Sequence, residues 1–158
     1  MLPSAMNKKY WLVKTEPTVF SIDDLARDRR TLWTDIRNYQ ARNFLREMDI
    51  KDPVLIYHSS ADPAGIVGIG TVTKKAIADP TQFDKKSDYY DPKSTKEAPR
   101  WFAPELSFRE KFKEILELSF LRTVKELAGL ELLKRGSRLS VHPVTEKEFD
   151  KVISLSRQ

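Results

Sequence analysis

Three of the chain's five glycines, Gly65, Gly68 and Gly70, fall in one apolar run, GIVGIG, that continues into the β-branched segment TVT. Glycine weakens a strand unless another backbone must come close or the strand must bulge, so this spacing predicts a strand over Gly65 to Lys75 in a sheet that curls. Pro53 to His58 (PVLIYH), just upstream, reads as its partner strand, with a turn containing Asp62-Pro63 between them. A curled sheet in a chain of this length points to a small, mostly antiparallel, partly closed β-barrel.

The other segments decorate that sheet. Tyr10 to Lys14 (YWLVK) reads as a buried strand closed by Pro17, and Thr31 to Trp33 as a short one. Ser21 with Asp24 forms a capping box for a helix over Ile22 to Arg27. Ala41, Phe44, Leu45 and Met48 share one face of a helix over Tyr39 to Met48. Trp101 to Ile115 reads as one long or bent strand. A helix over Phe120 to Ala128, capped by Ser119 and stopped near Gly129, follows it. Arg138 to Val141 reads as a last strand, and Thr145 with Glu148 opens a C-terminal helix to about Ser154. Strands and helices do not alternate strictly, which argues against a doubly wound parallel sheet. The expectation is one α+β domain over residues 9–158 behind an N-terminal extension, residues 1–8.

Composition removes whole classes of function. With no Cys and two His, disulfides, thiolate zinc sites, iron–sulfur clusters and cysteine nucleophiles are excluded, and no metal or cofactor is expected. The longest apolar runs fall far short of the ~20 residues of a membrane span, and the stretch Met1 to Ala5 does not read as a secretion signal. These features read as a soluble, cytoplasmic, monomeric protein without a membrane partner. The inventory for catalysis is poor. His58 stands beside Tyr57, Ser59 and Ser60 with Asp62 nearby, but successive strand residues point to opposite faces, so a hydrogen-bonding or structural role fits better than a hydrolytic one. His142, before Pro143, reads as structural, and the glycine run lacks the strand-to-helix context and the lysine of a phosphate loop.

Binding is better supported. Lys and Arg exceed Asp and Glu by 28 to 23, and the cations cluster. Arg37, Arg42 and Arg46 fall in an acid-free stretch with Asn38, Tyr39, Gln40 and Asn43 between them, and Lys134, Arg135 and Arg138 form a second such stretch. Cations for phosphates interleaved with aromatic and amide groups for bases suit a nucleic-acid surface, although solvated helix ends look the same. The irregular stretch Asp79 to Arg100 carries Phe83, Tyr89 and Tyr90 and has the length of a binding loop. Trp33, among polar residues, and Trp101, at the loop's end, are candidate stacking groups for a planar base; Trp11, amid strand residues, reads as core. A pocket for a nucleoside or other metabolite remains the alternative.

Several ordered motifs carry a resemblance: YWLVKTEP over Tyr10 to Pro17, IRNYQARNF over Ile36 to Phe44, Tyr57-His58-Ser59, DPTQFD over Asp79 to Asp84, Tyr90-Asp91-Pro92, and RLSVHP over Arg138 to Pro143. From about Lys9 to Ile153 the chain resembles the EVE domain family of the PUA-like superfamily and, more distantly, YTH domains. The resemblance implies a PUA-like barrel with flanking helices and a non-catalytic pocket for a modified nucleobase in DNA or RNA, such as a modified cytosine. It implies that Lys14, Thr15 and Trp33 line the pocket, that Tyr57, His58 and Ser59 offer edge contacts, and that the loop ending at Trp101 supplies an aromatic second wall. Arg37 and Asn38 would orient the base or a neighbouring phosphate. Arg42, Arg46, Lys134, Arg135 and Arg138 would neutralise phosphates, Arg138 and Ser140 alternatively bracing the barrel. The family usually has Asp-Gly after this tryptophan, whereas Thr34-Asp35 stands here and adds a side chain near the pocket mouth.

Overall fold

The computed structural model describes residues 8–158; residues 1–7, and with them nearly all of the expected extension, lie outside the described residues. Six strands form a single mixed sheet: β1 (Tyr10–Thr15), β2 (Arg30–Leu32), β3 (Pro53–His58), β4 (Gly65–Ala78), β5 (Phe102–Glu117) and β6 (Val141–Val144), in the order β2-β5-β4-β3-β1-β6. Only the β1–β3 pair is parallel. Helices α1 (Ile22–Asp28) and α2 (Tyr39–Glu47) fall between β1 and β3, a short α3 (Leu118–Leu121) follows β5, and α4 (Glu146–Ser156) ends the chain.

The apolar runs of β1 and β3 are continuous because both faces of the sheet are covered. Leu12 and Leu55 point to the side where α4 packs Phe149, Val152 and Leu155. Their neighbours Trp11, Val13, Val54 and Ile56 point to the other, against Ile22 and Leu25 of α1 and Ala41 and Leu45 of α2. Both capping boxes form as expected, Ser21 with Asp24 and Thr145 with Glu148.

The glycines do what their spacing predicts. A Cβ on Gly65 would stand 2.3 Å from the Leu116 carbonyl oxygen, and one on Gly68 2.3 Å from that of Glu110. The β4–β5 ladder shifts register at Ile66/Gly68 and again at Ile69/Gly70, irregularities of the kind that let a strand bend.

Three expectations are corrected. The sheet does not close into a barrel among the described residues: its edges β2 and β6 are short, and no ladder joins them. Instead of a helix over Phe120 to Ala128 there is α3 and then a 3-10 turn, Lys125–Leu127. The β-branched pair Thr123-Val124 interrupts them, with Val124 extended at φ −90° and ψ 111°. The last strand begins at Val141, not Arg138, because its ladder with β1 runs only from Val13↔Val141 to Tyr10↔Val144. Arg138 to Ser140 instead approach the end of β1, where the Lys14 N–H donates to the Ser140 carbonyl at 2.9 Å.

Candidate functional site

Where a closed barrel would seal, the structure holds a cleft of about 640 Å³ lined from both sheet edges. Lys14 and Thr15 come from the end of β1, Trp33 to Ile36 from the segment leaving β2, and Arg138 and Ser140 from the approach to β6. Ser59, just past β3, and Phe20, before α1, complete the inner side, and Tyr89 reaches in from the 79–100 loop. The volume lies within the range of small-ligand sites, and three aromatic residues with a few polar groups are the usual lining of such sites.

Local chemistry holds these residues in place. The Trp33 N–H donates to the Pro104 carbonyl at 2.9 Å, extending the β2–β5 pairing by one residue. Its indole is only 6% exposed and meets Phe20 edge-on, with ring centres 6.1 Å apart. Trp33 is therefore a fixed part of the cleft's inner surface. Thr15 donates its hydroxyl to the Phe20 carbonyl at 2.7 Å, fastening the turn that carries Phe20, and the Ser59 N–H donates to the Thr15 carbonyl at 2.9 Å. Lys14 is half-buried; loss of water pushes its ammonium pKa below the ordinary lysine value, and the Glu131 carboxylate opposes that shift. With Arg138 exposed on the same rim, the cleft offers cations to an anionic ligand.

The 79–100 loop is ordered by two buried polar residues. The fully buried Asp79 carboxylate accepts from the Asp35 N–H at 2.7 Å, from Arg37 at 3.2 Å, and from the N–H and hydroxyl of Thr81 at 2.8 and 2.7 Å. Gln82, also fully buried, donates to the carbonyls of Asp79 and Trp101, both at 2.8 Å, and accepts from Ser94 and from the backbones of Arg100 and Trp101. These bonds tie the two ends of the loop together. Arg37 then joins it to the segment after β2, donating to the Tyr89 carbonyl and the Thr81 hydroxyl.

Of the residues anticipated for the site, the cleft brings together Lys14, Thr15, Trp33, Ser59 and Arg138. Trp101 is not among its walls: it is buried, stacked on Tyr39 at 4.7 Å, with its indole N–H donating to Asp91 at 2.7 Å, and Tyr89 takes the place expected for it. Arg37 braces the loop, and Asn38 caps α2 by accepting the Ala41 N–H at 2.9 Å. Tyr57 is buried in the core on the α4 side of the sheet. His58 lies outside the cleft lining and accepts the Ile22 N–H at 3.1 Å, which satisfies a free donor at the start of α1. Arg42 stacks over Tyr39 and donates to the Arg100 carbonyl, and Arg46 stacks over Phe102 at 4.3 Å. Lys134 pairs with Glu131 at 3.1 Å, and Arg135 is exposed. The sequence reading passed over Phe20, Asp79 and Gln82 as individual residues. The only signal for the latter pair was the motif DPTQFD that contains both.

Among the described residues no group of three His, Cys, Asp or Glu side chains could hold a metal ion, and no helix is long and apolar enough to cross a membrane.

Comparisons place this arrangement among known proteins. The EVE domain family model matches residues 9–155. Thymocyte nuclear protein 1 of Mus musculus is 39% identical over 92% of this chain and 73% of its own length; the Homo sapiens protein is 36% identical over 94% and 74%. Their name describes a nuclear protein, which gives the cytoplasmic expectation no support. A crystal structure of a Pseudomonas syringae protein superposes with a TM-score of 0.91 at 46% identity, covering 93% of this chain and 99% of that one. The human THYN1 protein, crystallised in complex with DNA containing 5-methylcytosine, superposes with a TM-score of 0.89 at 36% identity, covering 96% and 99%. On the ordered motifs, the shared fold and the match along nearly its whole length, the chain belongs to the EVE domain family.

Proposed function

We propose that this protein is a non-catalytic DNA-binding module that takes a single modified cytosine into the cleft between its sheet edges. The observation that carries the reading is the cleft itself, with Phe20, Trp33 and Tyr89 on its surface and Lys14 and Arg138 at the same opening. A similar fold in the human THYN1 protein is found with DNA containing 5-methylcytosine, which favours DNA over RNA and a methylated base over a plain one.

The chemistry follows from the lining. A flat base gains roughly 1–3 kcal/mol from stacking on an aromatic side chain. Removing it from a duplex costs a few kcal/mol, least where it is weakly paired. Lys14 and Arg138 offset the charge of flanking phosphates, and Arg42, Arg46, Lys134 and Arg135 extend the basic surface beyond the cleft.

The test is fluorescence anisotropy with labelled oligonucleotides that differ only in cytosine or 5-methylcytosine. The wild-type protein is expected to prefer the methylated strand, and Trp33→Ala to erase the preference. Because Trp33 is buried, Tyr89→Ala serves as a second variant: its side chain is 42% exposed, so its loss leaves no hole in the core. Absence of preference in the wild type, or its survival in both variants, contradicts the reading. Salt-insensitive binding of the free nucleoside would instead support a metabolite pocket.

A further inference from the structure

We propose that Asp35 is the residue that selects the base in the cleft, its carboxylate accepting a hydrogen bond from a ring amino group, so that the ligand class is an amino-bearing base, cytosine-type rather than thymine-type. The inference rests on the reading that the cleft holds a base.

Asp35 lines the cleft two residues past Trp33. Its backbone sits at φ 75°, in the left-handed region that side chains other than Gly, Asn and Asp rarely occupy. The conformation is enforced from behind, because its N–H donates to the buried Asp79 carboxylate at 2.7 Å.

That side chain is left unsatisfied. Oδ1 of Asp35 is buried and has no hydrogen-bond partner among the described residues. Other carboxylates close to the backbone are well supplied: Asp79 through both oxygens, Asp52 by the Trp11 indole, Asp91 by the Trp101 indole. A buried acceptor without a donor is rare in native proteins and points to a partner that arrives from outside. A carboxylate oxygen accepts, so that partner must bring an N–H or an O–H. The cations near the cleft do not fill the role: Arg37 is engaged with Asp79, Thr81 and Tyr89.

On a pyrimidine the discriminating position is C4. Cytosine and 5-methylcytosine carry an amine there, whereas thymine, with the same 5-methyl group, carries a carbonyl that would face the carboxylate lone pairs. A site built to receive a donor rejects the analogue that lacks it far more strongly than an apolar surface distinguishes a methyl group.

The experiment measures affinity for single-stranded oligonucleotides identical except for one 5-methylcytosine or one thymine, a pair without any difference in duplex opening. For the wild-type protein the 5-methylcytosine strand is expected to bind about tenfold more tightly or better. Asp35→Gly, which keeps the backbone conformation, and Asp35→Asn, which keeps the shape, should each bring the two affinities together while melting as the wild type does. A ratio unchanged in both variants, or a wild type that does not separate the two strands, overturns the assignment of Asp35. A wild type that binds neither strand overturns the base-binding reading itself, and the role of Asp35 with it.

Discussion

The Arg37 guanidinium donates twice to the Tyr89 carbonyl, at 3.2 and 2.8 Å, and lies 5.6 Å from the centre of the same residue's ring. Fifty-two positions separate the two in sequence. Tyr89 reaches the cleft because an arginine on the segment after β2 holds its backbone, and the buried Asp79 holds that arginine. The aromatic wall is thus fixed before any ligand arrives.

Arg37→Ala should therefore weaken binding without removing any group from the cleft surface. Its charged hydrogen bonds to Asp79, Thr81 and Tyr89 are lost together, and hydrogen bonds to charged groups contribute about 1.5–3 kcal/mol each at most, so a stability loss of about that size is expected. Chemical denaturation checks the stability, and an oligonucleotide titration the affinity. Wild-type affinity in a destabilised Arg37→Ala protein would show that Tyr89 needs no brace.

Arg138 is exposed on the cleft rim, so its contribution should be electrostatic. In Arg138→Gln the slope of log affinity against log salt should fall by about 0.9 on duplex DNA, with stability unchanged. Titrations at several salt concentrations measure the slope. An unaltered slope places Arg138 away from the phosphates.

Stability should fall on mild acidification through the chain's two histidines. Burial depresses the His142 pKa, with the Pro143 carbonyl opposing, and also depresses that of His58, with Asp23 opposing. His58 also accepts the Ile22 N–H through Nε2 and must lose that bond on protonation. A histidine whose folded pKa lies below the unfolded one stabilises the fold fully above about pH 6.5, and the contribution drains away as pH drops through the lower folded value. Melting temperatures should decline below pH 6.5 in the wild type and more shallowly in His142→Leu. An identical decline in that variant would remove His142 from the explanation.

What the sequence made legible was mostly local. The capping boxes at Ser21 and Thr145 need only residues three apart, and the backbone contacts of Gly65 and Gly68 follow from where glycines can and cannot sit in strands. Trp33 and Lys14 could be placed by the strands that carry them. The roles of Arg37 and His58 could not, because each is decided by a partner dozens of positions away: Asp79 and Tyr89 for one, the Ile22 amide for the other. Trp101 met both criteria for a stacking wall, an aromatic ring and a loop position, yet Tyr39 and Asp91 draw it inward. Closure of the barrel failed for a similar reason. Local pattern reveals the close, irregular pairing of β4 with β5 but not whether two short edges with four strands between them will meet.

The most direct test uses the three indole N–H signals of the ¹⁵N-labelled protein. Trp11 donates to Asp52 and Trp101 to Asp91, neither of them a cleft-lining residue, while Trp33 lines the cleft. On titration with an oligonucleotide containing 5-methylcytosine, the Trp33 indole signal should shift strongly and that of Trp11 should stay in place. Saturable binding that leaves the Trp33 signal unmoved would contradict a base held in this cleft.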